Sequence, residues 1–232
     1  MISSMSRARA RWVRLATAIV AAGTLGLIGG CTSSVTGAPH SNPSFHLVPG
    51  TIQASFVSID GVSSLVGVTL ESSSGSSQPP APLSGDPASC AVAVGPGTQS
   101  VYRSGWAVFG SAMYQDSDSV ADHAVTQVLG KYSTVAQAAA VFATLTNGIK
   151  GCPSAVRTNA DQSTSTWTYE VNTATADTLS WTATEVAANG WVCYREARLK
   201  GTAVLQVAVC EAGDGQLTAQ KIANQFAGKV GG

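Results

Sequence analysis

Histidine is scarce in this chain: of three, His40 and His46 lie in a proline-punctuated stretch near the N-terminus, leaving His123 as the single candidate for a folded general base. Also missing are Gly-x-Ser-x-Gly, His-Glu-x-x-His, a P-loop and a dinucleotide fingerprint, so the sequence carries no signature of the common hydrolases or nucleotide enzymes. No Cys-x-x-Cys occurs and no histidine lies beside a cysteine, which removes the usual zinc and thioredoxin-like patterns. Nor does any apolar run reach the roughly 20 residues that a permanent membrane helix needs. The expectation is a protein without catalytic residues, metal or cofactor.

What is present begins with an export signal. Arg7, Arg9, Arg11 and Arg14 precede an apolar run from Leu15 to Ile28, and Gly29-Gly30 stand just before Cys31. The stretch "LIGGC" resembles a bacterial lipobox, and that likeness implies cleavage before Cys31 with diacylglycerol on its sulfur. Residues 1–30 are then a lipoprotein signal peptide, and Cys31 holds the mature chain on the outer face of the cytoplasmic membrane. Without the signal, nine basic residues face thirteen acidic ones, a net charge of −4 that argues against nucleic acid as a partner.

Residues 31–49 are small, polar and proline-rich, the composition of a flexible tether. From residue 50 to 232 the chain is long enough for one domain. Ile52, Phe56, Ile59, Val62 and Val66 recur at helical spacing and predict a first helix, weakened by Gly61. Residues 71–87, rich in serine, glycine and proline, predict a surface loop. Strands are expected at "GWAVFGSAMYQD" and "DHAVTQVLGKY". A helix follows from Ser133 to Gly151, opened by a Thr134/Gln137 capping box and closed by a left-handed Gly151. After a turn at Pro153, "STWTYEV" and "DTLSWTATEV" predict two more strands, with Trp167, Tyr169, Leu179 and Trp181 among their side chains. A hairpin and a C-terminal helix carrying Ala219, Ile222, Ala223, Phe226, Ala227 and Val230 on one stripe complete the chain. The order points to an α+β domain with a mainly antiparallel sheet.

Four cysteines remain for an oxidising compartment, and four allow three pairings. In "GWVCYREARLKGTAVLQVAVC", a loop over residues 200–203 pairs Leu199 with Val204 and sets Cys193 opposite Cys210; a turn of Lys200-Gly201 alone offsets the two cysteines diagonally. If the first register holds, Cys90 and Cys152 pair by elimination. One hairpin face carries Cys193, Arg195, Ala197 and Leu199 opposite Val204, Gln206, Ala208 and Cys210. Val192, Tyr194, Glu196 and Arg198 lie on the other, opposite Leu205, Val207 and Val209. Neither face is purely apolar, which predicts a sheet partly covered and partly open to a cleft.

Trp106, Tyr114, Tyr169, Trp181, Trp191 and Tyr194 all fall on expected strands, where they either form an exposed binding surface or fill the core under the helices. The candidate ligand-binding set drawn from them is Trp106, Tyr114, Trp181 and Tyr194, joined by Arg195 and Arg198 as possible anion holders. Asp116, Asp118 and Asp122 gather three carboxylates but lack the glycine and terminal glutamate of a calcium loop, which favours a solvated turn.

The tryptophan-led strand ending in "MYQD", the helix "VAQAAAVFATLTNGIKGC", the cysteine hairpin and the closing "AQKIANQFAGKV" together resemble the PknH-like extracellular sensor domains, which also occur alone in mycobacterial lipoproteins. The resemblance covers nearly all of residues 50–232. It implies an α+β sheet with flanking helices, two disulfides, and a cleft for a small molecule or envelope component. The alternative function is a module that docks on a membrane receptor or cell-wall protein without a small ligand. No kinase domain is visible in the sequence, so a signal sensed here is expected to pass to another protein. Thr202-Ala203 stand where the family often carries polar or amide side chains, a departure that bears on any shared ligand.

Overall fold

The structure is a computed structural model that describes residues 52–159 and 162–231. The expected signal peptide, the expected lipidation site Cys31 and the expected tether lie outside the described residues. No helix among the described residues is long and apolar enough to cross a membrane.

Among those residues, nine strands form one antiparallel sheet: β1 (Ser72–Ser76), β2 (Ser84–Asp86), β3 (Trp106–Gln115), β4 (His123–Tyr132), β5 (Ser154–Thr158), β6 (Thr164–Ala174), β7 (Thr178–Glu185), β8 (Trp191–Lys200) and β9 (Ala203–Ala212). Their spatial order is β1-β3-β4-β9-β8-β7-β6-β5-β2. Helices α1 (Ile59–Val66), α2 (Ala91–Val94), α3 (Val135–Lys150) and α4 (Gln216–Lys229) flank it. This is the α+β architecture expected from the order of elements.

Alternation along the strands divides the sheet into two faces. On the front face, Phe109, Val128, Leu179, Trp181, Ala197 and Val204 meet Ala138, Phe142, Leu145 and Ile149 of α3. On the back face, Tyr114, Val125, Leu129, Leu205, Val207 and Val209 meet Ala219, Ile222, Ala223 and Phe226 of α4, with Phe56 and Val62 beside them. Helix α4 thus buries the stripe that its periodicity marks, and α3 buries Ala138, Phe142, Leu145 and Ile149 while Val135, expected on the same face, stays exposed.

Several elements differ from expectation. Instead of one first helix, a short 3-10 turn (Ile52–Ser55) and α1 are separated at Phe56–Ser58. The break is held by buried Gln127, whose Oε1 accepts from Val57 N–H at 2.9 Å and whose Nε2 donates to Val57 O at 2.9 Å. Ser58 then caps α1 through Gly61 N–H, and Gly67 at φ 86 ends it. The Thr134/Gln137 capping box on α3 is present, but Gly151 is right-handed at φ −82, so the helix ends without the glycine-specific turn.

Residues 71–87 are not simply a loop. They supply β1 at one edge of the sheet and β2 at the other, joined by residues 77–83. Eight residue steps reach at most about 28 Å, whereas eight flat strand gaps would span about 38 Å. The sheet therefore curls. The strap crosses the front face, where Gln99 bonds the carbonyls of Pro79 and Pro80 and Leu83 packs on the front core. That makes the front face concave.

The hairpin takes the register with facing cysteines. Cys193 pairs with Cys210 and Leu199 with Val204, but Lys200 also pairs with Ala203, leaving a two-residue turn of Gly201-Thr202. Gly201 sits at φ 56, the left-handed conformation that such tight turns require. Disulfides join Cys193 to Cys210 and Cys90 to Cys152, with Cα separations of 3.9 and 5.3 Å.

Candidate ligand-binding groove

Helix α3 covers only part of the concave front face. Beyond its reach the central strands carry small side chains: Ala124 and Thr126 on β4, Ala208 and Cys210 on β9, Cys193 on β8 and Ala183 on β7. The register places these residues side by side. Larger neighbours rise around that low floor, with Met113 of β3 on one side and Trp167, Trp191 and Arg157 on the other. Together with Leu83 from the strap they enclose an open groove of about 730 Å³, within the usual range for a small-molecule site of about 300 to 1,000 Å³. The groove exists because small residues occupy the middle of a curled sheet.

Its electrostatics are uneven. Arg195 extends from β8 into the groove between Trp181 and Ala208, its neighbours on β7 and β9. Although part of the side chain reaches the groove surface, its Nε is sealed from solvent and has no hydrogen-bond partner. Burial, partly offset by the Tyr169 hydroxyl and reinforced by repulsion from Arg157, pulls the guanidinium down to about 10. Arg157 on β5 lies 5.7 Å from the centre of the Trp167 ring, a cation-π distance, and its Nε donates to Asn159 Oδ1 at 2.9 Å. Tyr169 is raised by burial and drawn back by both cations. Glu185 also lines the groove but pairs with neither arginine; the ion pairs among the described residues are His123–Asp116 and Arg198–Glu196.

The candidate binding residues are scattered by the fold, and of the six only Arg195 lines the groove. Trp181 is 0 % exposed and Tyr114 1 %, so both are core residues, on the front and back faces respectively. The Tyr114 hydroxyl donates to Val57 O at 3.2 Å. Trp106 packs over Phe109 at the edge of the front core. Tyr194 lies on the back face and donates to Gly213 O at 2.8 Å. Arg198, also on the back face, is tied to Glu196. Sequence reasoning missed Arg157 as a groove residue because β5 behind Pro153 was not expected as a strand. Trp167 was seen only as a strand side chain.

His123 pairs through Nδ1 with Asp116 Oδ2 at 2.9 Å, at the β3–β4 turn, and Asp116 Oδ1 accepts from Asp122 N–H. Asp116 therefore serves the turn. A second depression of about 530 Å³, near the Cys90–Cys152 bridge, is walled mainly by small residues, with Arg103 at its exposed margin. It lacks the aromatic walls of the groove.

The PknH-like extracellular domain family matches residues 47–229. The chain belongs to this family. A solved structure, the extracellular domain of PknH from Mycobacterium tuberculosis, superimposes with a TM-score of 0.67 at 22 % sequence identity, covering 76 % of this chain and 92 % of that one. At that identity the likeness is one of fold. No curated protein matches the chain. The PknH-like extracellular domain of this chain has, among the described residues, a nine-stranded sheet and two disulfides.

Proposed function

We propose that the protein is a lipid-anchored envelope protein whose PknH-like domain binds a small molecule or envelope component in the groove on its concave face. The observation that carries this reading is the low floor of Ala124, Thr126, Ala208 and Cys210 enclosed between Met113 and the Trp167/Trp191 wall. A flat aromatic patch would have favoured docking of a protein. A concave, walled surface suits a ligand of limited size. The reading is non-catalytic: the groove offers guanidinium, indole and hydroxyl groups with one carboxylate, Glu185, while His123 pairs with Asp116 at a turn and does not line it. Anchoring at Cys31 would hold the groove near the membrane surface, where envelope components are concentrated.

The test is native mass spectrometry of the full chain purified from its own envelope. A retained non-protein mass, released on unfolding, is expected. A chain that consistently carries nothing, while crosslinking recovers one reproducible protein partner, would favour docking instead.

A further inference from the structure

An arginine whose Nε is sealed from water without an acceptor is costly, because a buried guanidinium ordinarily finds a carboxylate, a carbonyl or a bound ligand. Among the described residues Arg195 has none of these: no ion pair and no hydrogen bond engages it, and its Nε is buried without a partner. The other arginine of its strand is satisfied, since Arg198 bonds both Glu196 and the carbonyl of Ala197. Arg157, the second cation of the groove, is engaged among the described residues at its Nε by Asn159 and is braced on the Trp167 ring. Tyr169 stands close enough to feel both cations. Two guanidinium groups that repel each other thus line one groove, with Met113, Leu83, Trp167 and Trp191 as its large apolar walls and Asn159, Ser165 and the Glu185 carboxylate, which pairs with neither arginine, as its other polar groups.

The geometry points to an amphipathic oxyanion as the ligand class: a carboxylate or phosphate head held by Arg195 and Arg157, with an apolar body lying along the floor between Met113 and the tryptophans. This rests on the groove being the binding site, and it adds the chemistry that the site recognises. A planar oxyanion matches the fork of an arginine, and the low-polarity walls strengthen the pairing. Head and body must act together. The apolar walls would leave a free inorganic ion half-covered, and the cations would leave a neutral apolar molecule with an unsatisfied Arg195 beside it.

The experiment is calorimetric titration of the full chain, reconstituted in lipid nanodiscs, with 2-naphthoate, 2-naphthyl phosphate, neutral 2-naphthol and inorganic phosphate. Both naphthyl anions should bind at one site, more weakly as salt is raised, and more tightly than 2-naphthol or inorganic phosphate by roughly tenfold or more. Arg195→Gln and, separately, Arg157→Gln should each weaken the anions by roughly tenfold while leaving 2-naphthol unchanged. Arg103→Gln, which removes the same charge outside the groove, should have no effect. Because Arg195 is the more buried, Arg157→Gln decides the matter if Arg195→Gln fails to fold.

If 2-naphthol binds as tightly as the anions, and Trp167→Leu weakens it, the groove is a ligand site but the oxyanion inference is wrong. If inorganic phosphate matches naphthyl phosphate, the apolar body is wrong. Anions that do not bind at all, or that bind equally well to both arginine variants, overturn the inference. If the neutral probe also fails and no mass is retained from the envelope, the reading of the groove as a binding site falls with it.

Discussion

Arg198 donates from Nη1 to Glu196 Oε2, two residues earlier on the same strand and on the same face of the sheet. Glu196 is 1 % exposed, and its other oxygen accepts from Gln216 Nε2 at 3.1 Å, so the pair also fastens the first turn of α4 to the back of the sheet. The alternation of β8 therefore sends one arginine to a structural partner and the other, Arg195, into an open groove.

Removing one partner of that pair should be worse than removing both. Arg198→Met leaves a buried carboxylate without its cation and is expected to cost about 3 kcal/mol or more. The double change Arg198→Met with Glu196→Gln should recover part of that loss. Urea denaturation of the three proteins measures it, and a double variant no more stable than the single would contradict the assignment.

Gly148 lies within α3, where alanine would ordinarily stabilise by up to about 1 kcal/mol. Here an added Cβ would stand 2.4 Å from Val92 Cγ1 on α2, next to the segment tied down by the Cys90–Cys152 bridge. Gly148→Ala is expected to destabilise instead, by about 1 to 3 kcal/mol as overpacking does. A raised melting temperature would show that Val92 yields easily.

These tests bear on elements of unequal legibility in the sequence. Helix α3 and the β8–β9 hairpin are readable because their signals are local: a capping box, a 3.6-residue stripe, alternation around a glycine turn. Strands β1 and β2 are not, since "SSSGS" and "SGD" have no hydrophobic alternation and join the sheet at its edges through backbone pairing. Parity within the hairpin puts Arg195 and Arg198 on opposite faces, but which face opens to the groove is legible only from the sheet. The groove itself needs the register of β3, β4, β5, β6, β7, β8 and β9 at once, together with the curl imposed by the strap, and neither is a local property. Trp181 and Tyr114 show the same limit from the other side, because strand aromatics look alike in sequence whether a helix covers them or not.

The Asp116–His123 pair gives a pH dependence. Burial alone would raise the Asp116 carboxyl, but the side-chain and backbone hydrogen bonds of His123 and its charge outweigh that and lower it from its ordinary value of 3.8. A carboxyl depressed in the folded state stabilises the fold at pH above its unfolded value, and that contribution disappears as pH falls through the lower, folded one. The difference in urea midpoint between the parent protein and Asp116→Asn should accordingly be present at pH 5 to 6 and shrink below about pH 4. A difference independent of pH would mean that the pair contributes through hydrogen-bond geometry alone.

The most direct measurement of the central claim compares native mass spectra of the parent chain and of Ala124→Phe, both purified from the native envelope, because a phenylalanine on the groove floor fills the space between Met113 and the hairpin disulfide. The groove reading predicts a discrete non-protein mass on the parent chain that is absent from the folded variant. The same mass on both proteins, or none on the parent, would contradict it.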